Sequence, residues 1–173
     1  MTKYNKKITT LMYPDEFNRL IKEKKFLKDS YLAFIIVLYY TGIRVSEALN
    51  LKRECFKRMG DNLYIDVGHR LKGSKVTPPL IIPLSKPHIN FLVQYYLFFE
   101  KPNAKIFLFS RKTAYNICKR FFGYPHYYRL NRVTLFLIQG FTIPHIKTWF
   151  GLNAKTIDHY IGVADMHKMS KSL

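Results

Sequence analysis

The chain has 173 residues, 48% of them hydrophobic and 23% charged, which suits one ordinary domain with its own core and excludes a disordered tail. Lys and Arg number 29 against 11 Asp and Glu, a net charge of +18 at pH 7; so large a surplus points to a polyanion, nucleic acid or an anionic membrane, more than to a merely solvated surface. The longest apolar run, Tyr31–Tyr40, is half the roughly 20 residues of a membrane span, so no membrane partner is expected.

The first helix is expected near Pro14–Asp15. Proline suits a first turn, Asp15 and Glu16 suit its positive end, and Phe17, Leu20 and Ile21 recur at helical spacing. A lysine-rich gap, Lys22–Lys28, leads to a buried helix over Leu32–Tyr40 that stops at Gly42, and Ser46 with Glu47 opens a helix over Glu47–Leu51. The middle of the chain reads differently. Leu63–Val67 alternates like a strand, Arg70–Pro79 is a polar turn and Leu80–Leu84 is a second strand, making a hairpin or meander with a basic tip. Helical patterns return over Lys86–Phe99, Arg111–Phe122, His126–Gly140, Ile143–Phe150 and Lys155–Ile161, with Ser110 as an N-cap. The expected class is mainly α with a small antiparallel β-sheet (α+β), one domain over 1–173. The N-terminus lacks the apolar stretch of a signal peptide. Cys55 and Cys118 lie far apart without a His/Cys cluster, which argues against zinc and a disulfide framework. An intracellular protein is expected.

Three stretches carry the chemistry: YYTGIRVSEALNL at Tyr39–Leu51, HYYRLNR at His126–Arg132 and HYIGV at His159–Val163. They set two arginines, a histidine and a tyrosine in order along a basic chain. A nucleophile that attacks a DNA phosphate needs cations around the non-bridging oxygens, and arginines can supply that charge without a metal. A phenol, with a pKa near 10, needs such cations to stabilise developing phenolate charge. Each motif alone is ambiguous. Arg44 could simply pair with Glu47 three residues on, H-x-x-R arises often by chance, and the chain has 13 tyrosines.

Taken together, these motifs resemble the tyrosine recombinase (phage integrase) family over nearly the whole chain, from YPDEFNRL to just beyond Tyr160. TGIRVSEAL resembles the family's first box, where the acidic residue, here Glu47, supports the fold near the arginine, so both readings of Arg44 can hold. RLKGSKVTPPLIIPL resembles its lysine hairpin: Lys72 takes the catalytic place and Lys75 grips the backbone, or the two exchange roles. His126 to Gly140 resembles the second box, with His126 and Arg129 on one helix face and Arg132 as a further backbone contact. TIDHYIGV places Tyr160 where the family has its nucleophile.

The chain also departs from the pattern. Leu130 and Asn131 follow Arg129, where a second histidine is usual. Phe150-Gly151-Leu152 stands where the third box has L-G-H. Trp149 or His145 could move into that vacant place, and His159 is expected to point elsewhere.

The resemblance implies a catalytic domain without the family's N-terminal DNA clamp, and no cofactor or metal. Arg44 and Arg129 would bind the scissile phosphate, His126 would assist, and Tyr160 would attack to give a 3′-phosphotyrosine. Lys72 would protonate the departing 5′ oxygen. Double-stranded DNA and a tetramer on paired sites are the implied partners. The composition suits an element of a virus or plasmid in a prokaryotic cytoplasm or nucleoid, hence genome integration. The alternatives are a type IB topoisomerase-like enzyme with the same chemistry, or a non-catalytic DNA-binding protein of the same fold.

Overall fold

The computed structural model describes residues 10–23, 28–68, 79–86 and 88–171. Its helices are α1 (Pro14–Glu23), α2 (Asp29–Thr41), α3 (Val45–Leu49), α4 (Ile89–Leu97), α5 (Arg111–Phe121), α6 (Pro125–Ile138), α7 (Ile143–Phe150) and α8 (Ala154–Lys171). Strands β1 (Phe56–Met59), β2 (Asn62–Ile65) and β3 (Leu80–Pro83) form one antiparallel sheet in the order β1-β2-β3. Pairs such as Phe56↔Ile65 and Leu63↔Ile82 set its register. The expected α+β class, mainly helical with a small sheet, is the observed one.

The centre is α2. Its residues from Ala33 to Thr41 are all buried, because α3, α4, α5, α6 and β3 pack around it. A helix apolar on every side can only be satisfied by such a surround, and each large side chain there contributes about 1.5–3 kcal/mol on burial. Phe17 of α1 stacks on Tyr39 with ring centroids 3.7 Å apart, fixing the first helix to the last turn of α2. A second cluster lies between α6, α7 and α8, built from Leu130, Val133, Ile146, Phe150, Ile157, Tyr160 and Val163. Helix α6 therefore serves two cores, giving one face to α2 and another to α8. Residues on its flank lie at the junction of both.

Several boundaries differ from expectation for local reasons. Helix α3 begins at Val45, with Arg44 as its N-cap, since the Glu47 carboxylate turns back to accept from the Arg44 backbone N–H at 2.6 Å. Strand β1 carries no sequence signal: only Phe56 is buried and Lys57, Arg58 and Met59 are exposed, so no alternation shows. The helix expected over Lys86–Phe99 is α4 alone, since His88 sits at φ 69, outside the right-handed helical range. Helix α8 runs ten residues beyond the expected end at Ile161, because Val163 and Ala164 continue the buried stripe of Ile157 and Tyr160 while Gly162 faces solvent. Ser110 caps α5 as expected, accepting from the Thr113 N–H at 3.1 Å. Among the described residues no helix is long and apolar enough to cross a membrane.

Candidate active site

The site is assembled at the end of α2. Gly42 terminates that helix in the left-handed conformation, φ 62, its N–H bonding back to the Leu38 carbonyl. It is pressed between neighbours: a Cβ there would lie 2.9 Å from both Arg132 Cβ of α6 and Phe150 Cε1 of α7. Only glycine satisfies both the backbone angle and the close approach. Two residues later comes Arg44, its side chain 46% exposed, with one guanidinium nitrogen 3.1 Å from Glu47 Oε1. A guanidinium has five N–H donors, so pairing to Glu47 leaves donors for an anion. The pairing and the phosphate-binding readings of Arg44 are compatible.

Arg129 is 5% exposed on α6. It donates to the Gly42 carbonyl at 3.0 Å and to the Phe150 carbonyl, and its guanidinium lies 5.6 Å from the Phe150 ring centroid. Those carbonyls close the C-terminal ends of α2 and α7, where helix dipoles present partial negative charge. Helix ends orient Arg129 with no carboxylate ion pair among the described residues, so its charge stays available. Burial, and then the neighbouring Arg44, lower its pKa, and Tyr160 and Glu47 oppose that. An arginine in such a setting remains protonated at neutral pH.

Tyr160 projects from α8 and is 1% exposed. Burial pushes its phenol up, whereas Arg129, by charge and as a hydrogen-bond donor, and then Arg44 pull it down. Two cations thus bear on the phenol oxygen of Tyr160. His126 stands exposed in the first turn of α6; desolvation, then Arg129 and His159, lower its pKa, so the neutral imidazole is its form at pH 7. His159 is exposed and does not line the cleft that holds Tyr160. Its ring centroid is 5.8 Å from that of Tyr160, and it is close enough to His126 to act on its charge.

Arg44, His126, Arg129 and Tyr160 all line one cleft of about 320 Å³, together with Arg111, Tyr115, Leu152, Asn153 and Thr156. Sequence reasoning missed Arg111 and Tyr115, which α5 delivers with the guanidinium 6.0 Å from the Tyr115 ring centroid. Their only signal was a basic residue directly after the Ser110 cap. Leu152 is a core residue, 6% exposed, so the place of the usual imidazole is filled by apolar packing. Asn153 accepts from the Thr156 N–H at 2.8 Å and so starts α8 at the cleft wall.

Three expected site residues lie elsewhere. Arg132 shares a helix with Arg129, but its guanidinium rests 4.3 Å over Phe136 and lines a separate pocket with Tyr40 and Trp149. The contact of its Cβ with Gly42 divides the two arginines. Trp149 packs with Phe136 and Phe141 at 5.8 and 5.7 Å, away from the cleft, and does not replace the missing imidazole. His145 pairs with the Thr142 hydroxyl at 2.9 Å and does not line the cleft either. Lys72 and Lys75 lie outside the described residues, in the connection between β2 and β3.

The fold that carries this cleft occurs in solved structures. By sequence, no family model and no curated protein matches the chain. By structure, the XerH site-specific recombinase on a palindromic difH substrate, in a post-cleavage complex, superposes with a TM-score of 0.75 at 16% identity, over 99% of this chain and 54% of that one. The XerA recombinase gives 0.64 at 20% identity, over 90% of this chain and 60% of the other. The Tn1549 transposon integrase bound to circular intermediate DNA gives 0.59 at 16% identity, over 88% and 60%. The fold is that of the tyrosine recombinase catalytic domain. The chain spans little more than half the length of these structures.

Proposed function

We propose that this chain is the catalytic domain of a site-specific tyrosine recombinase, cleaving and rejoining double-stranded DNA through a 3′-phosphotyrosine. The convergence of Arg44 from the start of α3, His126 and Arg129 from α6, and Tyr160 from α8 on one cleft carries this reading. In it, Arg44 and Arg129 hold the two non-bridging oxygens of the scissile phosphate and stabilise the pentacoordinate transition state. Tyr160 attacks phosphorus and gives up its proton, with neutral His126 as the nearby acceptor or hydrogen-bond partner. The phosphate–oxygen bond to the 5′ side breaks, and Lys72 or Lys75 supplies the proton to the departing hydroxyl. The ester retains the bond energy, so a 5′-hydroxyl can reverse the step without ATP. The charge of +18 neutralises flanking phosphates and makes binding steeply salt-dependent. The structural neighbours support DNA as the partner, since XerH and the Tn1549 integrase are solved on DNA. A tetramer on paired sites belongs to the same proposal, as does integration of a mobile genome.

Leu152 and the burial of Tyr160 favour a second reading, a DNA-binding protein of this fold that has lost cleavage. Incubation with negatively supercoiled plasmid in EDTA, beside Tyr160→Phe, separates the two. The first reading expects relaxation and a covalent protein–DNA band from the wild type alone. Binding without relaxation or capture by either protein overturns it in favour of the second. Relaxation surviving in Tyr160→Phe means that another residue is the nucleophile. Exchange of strands between two duplexes would further distinguish a recombinase from a topoisomerase-like enzyme.

A further inference from the structure

On the other side of the Gly42 junction lies a pocket of about 230 Å³, between α2, β3, α6 and α7. Two of its lining residues carry polar groups that no described residue satisfies. Among the described residues, Arg132 Nε is buried without a hydrogen-bond partner, and so is the hydroxyl of Tyr40, a residue 3% exposed. Lys86 stands exposed at the rim, and among the described residues no Asp or Glu lines the pocket. Beside Arg132 the lining is aromatic: Phe136, Phe141 and Trp149 lie in mutual contact, with centroids 4.7 to 5.8 Å apart. A half-buried guanidinium whose Nε is buried, with no acidic partner among the described residues, is costly unless something anionic completes it. Burial already lowers the Arg132 pKa, with only Tyr39 and Tyr40 opposing. At roughly 30 Å³ for each water in the liquid, the space accommodates one ring and one small head group.

We propose that this pocket binds a small organic anion carrying one aromatic ring. Its charged head lies between Arg132 and Lys86, and its ring lies among Phe136, Phe141 and Trp149. The stacking of Arg132 over Phe136 presets the guanidinium, so little freedom is lost on binding. The pocket shares no lining residue with the Tyr160 cleft, and the proposal does not depend on DNA cleavage. Such a ligand has two sources: a free aromatic phosphate or carboxylate, or a nucleotide of a DNA strand, which carries both a ring and a phosphate.

Trp149 is the only tryptophan in the chain and lines the pocket, so its fluorescence reports occupancy without a label. The full chain is titrated with phenyl phosphate, with benzoate, and with benzyl alcohol as the uncharged counterpart. The expected result is a saturable change for the anions and none for the alcohol at the same concentration. Arg132→Met should weaken binding by roughly tenfold or more, the loss of a charged hydrogen bond. Exposed Lys86→Ala, which leaves the core intact, should weaken it by a few-fold. A linear response, equal affinity for the alcohol, or unchanged affinity in Lys86→Ala together with a folded Arg132→Met overturns the proposal. Repeating the titration with saturating duplex DNA distinguishes the sources. Competition identifies a nucleotide as the natural occupant, and undiminished binding identifies a free small anion.

Discussion

Gly42→Ala tests the junction on which both arginines depend. Holding a residue with a Cβ at φ 62 costs about 1 kcal/mol relative to glycine. The new methyl would also lie 2.9 Å from Arg132 Cβ and from Phe150 Cε1. Neither neighbour is the free end of a flexible chain, since one is a helix-bound Cβ and the other a ring packed in the second core. Overpacking of this kind costs about 1–3 kcal/mol. The sum, about 2–4 kcal/mol, is a large share of the about 5–15 kcal/mol that holds a domain together. It corresponds to a Tm lower by roughly 5–15 °C for a chain of this size. Gly60 is the internal control: its φ is 56, yet nothing lies within 4 Å of a Cβ built there, so Gly60→Ala should cost only about 1 kcal/mol. Urea denaturation followed by circular dichroism measures both. Equal losses for the two variants would refute the steric argument and leave only backbone strain. Because Gly42 also supplies the carbonyl that Arg129 bonds, a surviving Gly42→Ala protein should bind DNA yet form less covalent complex.

Arg129→Met should leave the buried Gly42 and Phe150 carbonyls without their donor and destabilise by about 2–5 kcal/mol, read from the urea midpoint. Arg129→Lys should restore only part of this, since an ammonium cannot bridge both carbonyls as a fork does. Asn131 accepts from the Met12 N–H at 2.8 Å and donates to the Met12 carbonyl at 3.0 Å. Asn131→Ala should therefore cost about 2–3 kcal/mol and speed proteolysis around residues 10–13, and unchanged protection there would dismiss this anchor. Burial raises the Cys118 thiol from 9.0 to about 12 and also raises Tyr39 and Tyr128. These acids are neutral in the folded protein, so their contribution is complete below pH 9 and is lost as pH rises and the unfolded chain ionises first. The urea midpoint should fall from about pH 9 upward, and Cys118→Ala should flatten the first part of that fall.

The order of chemical groups was legible in the chain itself. Arg44 after a glycine that ends a buried helix follows from local pattern, because a left-handed cap is a property of adjacent residues, whereas H-x-x-R and Tyr160, one of 13 tyrosines, were singled out by their order in the family resemblance. The all-apolar run around Phe34–Tyr40 similarly required a central helix surrounded by others. Tertiary packing decided the rest. Arg129 and Arg132 are indistinguishable by spacing, yet one reaches two helix ends at the cleft and the other an aromatic pocket, because Gly42 and Phe150 wedge between them. Trp149 and Leu152 exchange their expected prominence for the same reason: the rotation of α7, set by burial of Ile146 and Phe150, turns Trp149 toward Phe141. Arg111 and Tyr115 enter the cleft only because α5 packs against α3 and α6. Such placements depend on contacts between residues far apart in sequence, and no local pattern encodes which of two neighbouring faces a distant helix will cover.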